Sequence, residues 1–326
     1  MDAAITIKGV TKTFGPKVAV RNLDLTVRRG ALCGFIGPNG AGKTTTIRMI
    51  MSIIFPDRGE ISVLGRASAV ESKDRIGYLP EERGVYRKMK VGAFLNYMAR
   101  LKGIDTASSD AKVRAWLERL GLGDTYKKKC EELSKGMQQK VQFISAVIHE
   151  PDLIILDEVF SGLDPVNRRL VRELIDEQHK AGRTVIFSTH AMFEAEALCD
   201  QIFMIHKGNK VLDGTLSEIV ARFDPRALLV ETVDGDGRAA LSGLPGVREV
   251  ADAGKGLLEV RLADGTDPSR ALRSVVDATP VRRVEVKRVT LEDVFIDLVI
   301  GGNGAAPVDR EKLRQQLATV SAEESS

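Results

Sequence analysis

The chain contains few aromatic residues, no long apolar segment and almost no excess charge of either sign. Aromatic side chains make up 5% of the 326 residues, and 48 basic side chains stand against 45 acidic ones, which leaves a formal net charge of +3. So small an excess creates no field that would hold nucleic acid, and we expect no nucleic-acid partner. No apolar run approaches the roughly 18–20 residues that cross a bilayer, so we expect any membrane-spanning part to belong to a separate polypeptide.

Cysteines are also scarce and form no recognisable pattern. Cys33, Cys130 and Cys199 are odd in number, far apart in sequence and without metal-ligand spacing, which favours a reducing compartment. Residues 1–8 lack the charged-then-apolar pattern of a secretory signal. These absences predict a cytoplasmic protein, and the length predicts about two domains.

The most informative segment present is the glycine-rich run at residues 37–44, GPNGAGKT. It fits the phosphate-loop pattern G-x-x-x-x-G-K-[ST] at every fixed position. Glycines let backbone N–H groups approach phosphates, Lys43 adds a charge that also makes it a catalytic candidate, and the Thr44 hydroxyl suits Mg²⁺. An apolar strand before the loop and a helix after it would place the helix N-terminus at the phosphates. The predicted nucleotide contacts are Gly37, Pro38, Asn39, Gly40, Ala41, Gly42, Lys43, Thr44 and Thr45.

An acidic pair follows a second apolar strand further along the chain. Residues 153–156 are continuously apolar, as in a parallel strand buried on both faces, and Asp157 and Glu158 come directly after them. Ligands of open α/β sheets bind at the carboxyl ends of strands. We therefore predict Asp157 as a Mg²⁺ ligand and Glu158 as the group that polarises an attacking water.

Four further motifs, in the same order along the chain, resemble those of the ATP-binding-cassette (ABC) ATPases. Leu133-Ser-Lys-Gly-Met137 looks like the LSGGQ signature, and the segment from Ser161 to Asp164 matches the D-loop. His190 falls at the position of the switch histidine, and Phe14 at that of the aromatic residue that stacks on adenine. The resemblance covers roughly residues 4 to 223.

This resemblance implies an α/β fold of the P-loop NTPase, ABC type. Its parts would be a mixed-sheet core, an antiparallel β subdomain and a helical subdomain at about residues 88–148, together forming an ATPase domain at residues 1–223. It also implies a homodimer that binds ATP and Mg²⁺ between the phosphate loop of one chain and Ser134 and Gly136 of the other, with Asp164 as a further nucleotide-binding residue. The implied catalytic residues are Lys43, Glu81, Glu158 and His190, and the implied metal ligands are Thr44, Glu81 and Asp157.

The sequence departs from the family pattern at two places. The signature carries Lys135 and Met137 where the family has Gly and Gln. In the segment at residues 76–81, Glu81 stands where the family usually has a Gln that contacts Mg²⁺ and the attacking water. A shift of one residue would give that role to Glu82 instead, so both acids stay candidates.

The remaining residues predict a second domain and a tail. Residues 224–300 show the order β-α-β-β-α-β of a ferredoxin-like domain, followed by a helix with an apolar stripe at residues 290–300. Such an extension resembles that of the ATPase subunits of bacterial sodium-efflux and drug-efflux exporters. Residues 301–326 read as a flexible tail.

Three functions are compatible with these motifs. The first is the ATPase subunit of a membrane exporter, peripheral on the inner face of the cell membrane and coupled to separate transmembrane permease subunits. The alternatives are soluble ABC ATPases that act on ribosomes or on DNA. The single phosphate loop argues against the ribosomal type, and the lack of a long heptad arm argues against the DNA type.

Overall fold

The computed structural model describes residues 2–82, 84–233, 237–254 and 256–300, so the predicted tail at residues 301–326 lies outside the described residues. The described residues divide into two compact units. One comprises the residues up to Leu216 together with those from Phe295 onward, and the other is Ser217–Val294. The division falls a few residues before the domain boundary predicted at residue 223.

The first unit is built from nine strands and a set of connecting helices. Its strands are β1 (Ala3–Phe14), β2 (Lys17–Arg28), β3 (Leu32–Ile36), β4 (Arg58–Val63), β5 (Ile76–Leu79), β6 (Leu153–Leu156), β7 (Thr184–Thr189), β8 (Gln201–His206) and β9 (Asn209–Thr215). The helices between them are α1 (Lys43–Ile50), α2 (Val91–Leu101), α3 (Thr106–Arg119), α4 (Lys135–Val147), α5 (Pro165–Lys180) and α6 (Met192–Leu198). Short 3₁₀ segments lie at Ala69–Arg75, Gly123–Thr125 and Cys130–Glu132.

A six-stranded sheet with the order β5-β6-β7-β3-β8-β9 forms the centre of this unit. All neighbours in it are parallel except the antiparallel pair β8–β9. Every residue of β3, β6 and β7 is buried, which is why these strands read as continuous apolar runs. The loops that follow β3, β5, β6 and β7 therefore leave from the same edge of the sheet.

A three-stranded antiparallel sheet and a helical segment complete the first unit. The sheet has the order β2-β1-β4, and its buried side chains join α1 and the central strands in one apolar core. The helices α2, α3 and α4 occupy the segment predicted as the helical subdomain. The mixed sheet, the antiparallel sheet and the helical segment confirm the predicted fold class.

The second unit has a four-stranded antiparallel sheet. It begins within α7 (Leu216–Phe223), and its further elements are β10 (Ala227–Thr232), α8 (Arg238–Ser242), β11 (Val247–Gly254), β12 (Leu257–Leu262), α9 (Pro268–Ala278) and β13 (Val281–Val286), followed by α10 (Leu291–Ile300). The sheet order β11-β12-β10-β13 is that of the predicted ferredoxin-like arrangement. Asp267 caps α9 by accepting a hydrogen bond from the Ser269 N–H, as the Asp-Pro-Ser sequence predicts.

Among the described residues, no helix is both long enough and apolar enough to span a membrane.

Candidate functional site

The phosphate loop lies against backbone that leaves no room for side chains at two of its glycines. Gly37 and Gly42 have φ values of +156° and +113°. A Cβ atom at Gly37 would lie 2.2 Å from the Ile205 carbonyl oxygen, and one at Gly42 would lie 2.7 Å from that of Ala19. Glycine is therefore required at both positions by backbone conformation and by contact, and the loop forms the cradle that a phosphate needs.

Lys43, the first residue of α1, projects back into this loop. Its Nζ donates to the carbonyl oxygens of Gly37 and Pro38 at 2.8 and 3.3 Å. The same Nζ lies 3.0 Å from Oε1 of Glu158, and both side chains are buried. A buried lysine held by carbonyls and one carboxylate is placed to exchange these oxygens for those of a phosphate.

Asp157 and Glu158 follow β6 and are fixed by a serine of the neighbouring strand. The Ser188 hydroxyl donates to Asp157 Oδ1 at 2.6 Å and accepts from the Glu158 backbone N–H at 2.8 Å. Glu158 has a φ of +47°, an uncommon conformation for a residue with a side chain. His190, directly after β7, completes the group, with its Nδ1 3.0 Å from Glu158 Oε2.

The two adjacent carboxylates have pKa values shifted in opposite directions. Burial raises the pKa of Asp157; the hydrogen bond from Ser188 opposes this, and the charges of Glu81 and Glu158 add to it. Burial would also raise the pKa of Glu158, but the hydrogen bond from His190 and the charge of Lys43 outweigh it and lower that pKa. Glu158 is therefore held as a carboxylate, whereas at Asp157 the charge of Lys43 lowers the pKa too little to offset burial.

Glu81 and Glu82 face different surroundings. Glu81 Oε2 lies 3.4 Å from the Thr44 hydroxyl and lines the phosphate-loop cleft. The Glu82 side chain is 88% exposed, with its carboxylate 3.7 Å from Arg48. The geometry therefore favours Glu81 over Glu82 for the role that the sequence left open.

Phe14 lines the same cleft. The cleft has a volume of about 290 Å³ and is lined by residues 39–45, Phe14, Lys17, Ala19, Glu81 and Glu158. The Phe14 ring is 50% exposed, and Lys12 Nζ lies 5.5 Å from its centroid. A half-exposed ring beside a phosphate cradle provides a face on which a base can stack.

Three oxygen donors converge beside the loop. The Thr44 hydroxyl lies 3.4 Å from Asp157 Oδ1 as well as from Glu81 Oε2. In the part of the chain that the structure describes, no cluster of three His, Cys, Asp or Glu side chains forms a complete metal site. Mg²⁺ is usually bound by one or two carboxylates, a hydroxyl, water and substrate phosphates, so this donor set fits Mg²⁺ bound together with a nucleotide.

The remaining predicted residues lie away from this cleft. Ser134 is exposed at the N-cap of α4, where its Oγ accepts from the Met137 N–H at 3.3 Å. A Cβ atom at Gly136 would lie 2.8 Å from the side-chain nitrogen of Asn167, which itself donates to the carboxylate of Asp164. Ser134, Gly136 and Asp164 therefore belong to the surface where α4 and α5 begin, and they do not line the phosphate-loop cleft.

Sequence reasoning missed Ser188 and Lys17. Ser188 is one of three hydroxyl residues in β7, beside Thr184 and Thr189, and only its contacts with the acidic pair reveal its role. Lys17 begins β2, and the antiparallel pairing of β2 with β1 brings it beside Phe14 in the cleft. Neither residue belongs to a motif, and both depend on strand pairing that spacing along the chain does not specify.

The chain is similar to known proteins over nearly its whole length. The family of ABC transporters matches residues 20–161, and the C-terminal domain of DrrA1-3-like ATP-binding proteins matches residues 214–299. The chain is 42% identical to the uncharacterized ABC transporter ATP-binding protein YhaQ of Bacillus subtilis, covering 90% of this chain and 98% of that protein. It is 30% identical to the Nod factor export ATP-binding protein I of Ralstonia nicotianae, covering 90% and 93%. A solved ATP-binding subunit of an ABC transporter superposes with a TM-score of 0.63 at 31% identity, covering 68% of this chain and 93% of that one.

Proposed function

Because this chain belongs to the ABC transporter family of ATP-binding subunits, which hydrolyse ATP to power transport, we propose that two copies of it close head to tail around two ATP molecules. The arrangement of the site supports this proposal. The phosphate loop, Lys43 and Glu158 converge on one cleft, with Asp157 beside Thr44 of that loop, whereas Ser134 and Gly136 lie on a different surface. Each chain thus carries two half-sites, and a second copy can supply the half that each lacks.

The direction of transport that we propose is export. The C-terminal domain matches that of the DrrA1-3-like proteins, and a relative similar over nearly the full chain is a Nod factor export protein. The relatives are transport proteins, which favours this function over the alternative of a soluble ATPase acting on ribosomes or DNA.

The residues that line the cleft would contact the base, the phosphates and the metal ion of the bound nucleotide. Phe14 would stack on the base, the loop N–H groups and Lys43 would hold the phosphates, and Thr44, Asp157 and Glu81 would hold Mg²⁺. The ion would offset charge on the phosphate oxygens. When a phosphate enters, Lys43 exchanges its contacts with the Gly37 and Pro38 carbonyls for the incoming oxygens.

Hydrolysis then requires a water molecule aligned with the terminal phosphate. Glu158, kept as a carboxylate by His190 and Lys43, accepts a hydrogen bond from that water and orients its oxygen toward the phosphorus. The new oxygen–phosphorus bond forms as the bond between the terminal phosphorus and the ADP oxygen breaks, and the proton that the water loses passes through Glu158 to the released phosphate. His190 holds Glu158 through Nδ1, and we propose that it also contacts the terminal phosphate.

We further propose that the dimer binds separate transmembrane permease subunits at the cytoplasmic face of the cell membrane. The absence of a spanning helix among the described residues is compatible with this arrangement. The membrane subunits would carry the transported molecule, so the ATPase chain itself does not identify that molecule.

The test of the dimer uses Glu158→Gln in the full-length chain. The amide keeps the shape of the side chain but cannot act as the carboxylate, so the variant should bind ATP without hydrolysing it. Light scattering with ATP and Mg²⁺ should then show an accumulated dimer, and chromatography should show intact ATP within it. Glu158→Gln combined with Lys43→Ala is the matched control and should stay monomeric. A Glu158→Gln protein that binds ATP but stays monomeric at every protein concentration, also with its membrane partner, would contradict the proposal.

A further inference from the structure

Glu194 is a fully buried acid beside the catalytic group, and the proposed reaction does not use it. It lies in the first turn of α6, and its side chain is 0% exposed. Its Oε2 accepts from Arg172 Nε at 2.5 Å, and its Oε1 lies 3.6 Å from Arg168 Nε. A buried carboxylate needs such cationic partners, because removing one of them leaves a charge without compensation in the interior.

The two arginines extend this contact to α5 and to the segment before it. Arg168 and Arg172 are one turn apart on α5, and each guanidinium lies within 6 Å of the centre of the Phe193 ring. Arg168 also donates through Nη2 to the Leu163 carbonyl at 3.3 Å. Leu163 directly precedes Asp164, the N-cap of α5. The Glu194 contacts thus join α6 to the turn that carries Asp164.

The helix α6 begins with a hydrogen bond from the Ala191 N–H to the Thr189 hydroxyl at 3.0 Å and with a buried Met192, and the Glu194 contacts add to these. It is seven residues long, and its N-cap residue, Ala191, makes no side-chain capping hydrogen bond. Helices this short depend on tertiary contacts for their position. His190 immediately precedes this N-cap, and Glu158, His190, Arg168 and Glu194 line one small cavity of about 70 Å³.

We propose that Glu194 is a positioning residue, which holds His190 at the Glu158 carboxylate by clamping α6 to Arg168 and Arg172. This inference rests on the proposed ATPase function. It concerns mainly the hydrolysis step, because the phosphate loop and Lys43, which supply most of the proposed phosphate contacts, belong to other elements. Loss of the clamp should therefore reduce turnover and spare nucleotide binding.

The first test compares Glu194→Gln with Glu173→Gln. The amide of Glu194→Gln cannot compensate two guanidinium charges, so we expect kcat to fall about tenfold or more, since small misplacements near reacting groups cost up to about 100-fold. The ATP dissociation constant, measured by equilibrium binding, should stay within about twofold. Glu173 pairs with Arg169 on the exposed side of α5, the helix that carries Arg168 and Arg172. Glu173→Gln should therefore match the wild type in both kcat and the ATP dissociation constant. Equal losses of affinity and turnover in Glu194→Gln would overturn the proposal, as would unchanged turnover.

A second measurement observes His190 directly. In protein labelled with ¹⁵N at its four histidines, the ring signal of His190 is the one that His190→Gln removes. Glu194→Gln should shift this signal, and the signal of His149, which lies by the Ile76 carbonyl, should not move. An unmoved His190 signal would overturn the proposal.

If Glu194→Gln does not fold, Arg168→Gln is tested instead. This variant is milder, because the buried Glu194 carboxylate keeps its ion pair with Arg172. It should shift the same signal and lower kcat without weakening ATP binding; unchanged turnover and signal would contradict the clamp. Wild-type protein without ATPase activity would instead refute the function on which the inference rests.

Discussion

At the residue scale, Glu81 is the position where the resemblance predicts a Gln and where substitution is most informative. Because Gln also offers an oxygen to Mg²⁺ and water, Glu81→Gln should keep ATP binding and at least part of the hydrolysis. Glu81→Ala should lower the rate and weaken its dependence on Mg²⁺, as steady-state hydrolysis across a Mg²⁺ titration would show.

Glu82→Ala is the matched control, because its side chain faces solvent beside Arg48. It should behave like the wild type. If instead Glu82→Ala slows hydrolysis and Glu81→Ala does not, the neighbouring residue performs the task.

The burial of His149 predicts how the free energy of unfolding, rather than the rate of catalysis, depends on pH. Burial, helped by the charge of Lys102, lowers its pKa from 6.5 to about 4. The unfolded chain therefore binds the proton first, and stability should fall as the pH drops from about 6.5 toward 4. The whole loss for this group is on the order of 3 kcal/mol, at 1.36 kcal/mol per pKa unit. Urea unfolding at pH 7 and pH 5 should show a smaller decrease for His149→Gln than for the wild type. Equal decreases would contradict the lowered pKa.

Single residues could be predicted from the sequence where a motif fixes their chemistry. The phosphate loop, the acidic pair and His190 form one group in the structure, because each follows a strand of the same parallel sheet. Ser188 and Glu194 could not be predicted, because a hydroxyl in an apolar strand and an acid in a helix have many uses. Only the pairing of distant elements shows what they contact.

At the scale of elements, the packing of β5 against α4 determines where Glu81 lies. A Cβ atom at Gly77 would lie 2.0 Å from the Ala146 carbonyl oxygen, so the strand approaches the helix backbone directly. Gly77→Ala should therefore lower the free energy of unfolding by about 3 kcal/mol or more, as overpacking against backbone does. It should also slow hydrolysis, because Glu81 follows this strand. Denaturant unfolding and ATPase assays measure the two effects.

Gly243→Ala provides the control for this substitution. Its φ is −86°, and the nearest heavy atom to an added Cβ is 3.9 Å away, so we expect little change in stability. A Gly77→Ala protein as stable as Gly243→Ala would show that the strand can move away from the helix at little cost.

The pattern of apolar residues along the chain predicts where strands and helices lie, but it does not predict every residue at which they begin and end. The apolar alternation of residues 5–10 predicts a first strand that ends at Val10, whereas β1 continues to Phe14. Its last residues are held by pairing with β2, since Thr13 lies opposite Val18 and Phe14 opposite Lys17. Pairing between strands can extend a strand beyond its apolar alternation, and a local pattern does not report this.

At the scale of the whole molecule, the described residues 295–300 group with the ATPase unit, whereas the predicted second domain extends to residue 300. Phe295 is fully buried, and its ring packs edge-on against His206 at 5.5 Å. Phe295→Ala should lower the free energy of unfolding by about 3–5 kcal/mol, as is usual for a buried Phe. ATP affinity should change less than tenfold, or about 1.4 kcal/mol.

A folded Phe295→Ala protein with a larger loss of affinity would show that this residue supports the nucleotide site. The route would be short, because His206 follows Ile205, whose carbonyl touches Gly37. Truncation after residue 223 removes Phe295 as well and should also spare ATP binding, provided that the shortened chain folds.

The shared site between two copies is tested most directly by mixing inactive variants. Lys43→Ala disables the phosphate loop, and Ser134→Asp places a negative charge where the partner's phosphate should lie while keeping a good N-cap for α4. Each variant alone should be inactive, but a mixed dimer contains one intact site, formed by the Ser134→Asp chain's loop and the Lys43→Ala chain's Ser134. Random pairing should then restore roughly a quarter of wild-type ATP hydrolysis.

The control mixes Lys43→Ala with Glu158→Gln, whose defects both lie in the phosphate-loop half, so no intact site forms and activity should stay absent. Recovery in the first mixture and none in the second is the predicted result of this measurement. Equal rates in the two mixtures, with exchange of subunits shown by fluorescence transfer between labelled chains, would contradict the head-to-tail site.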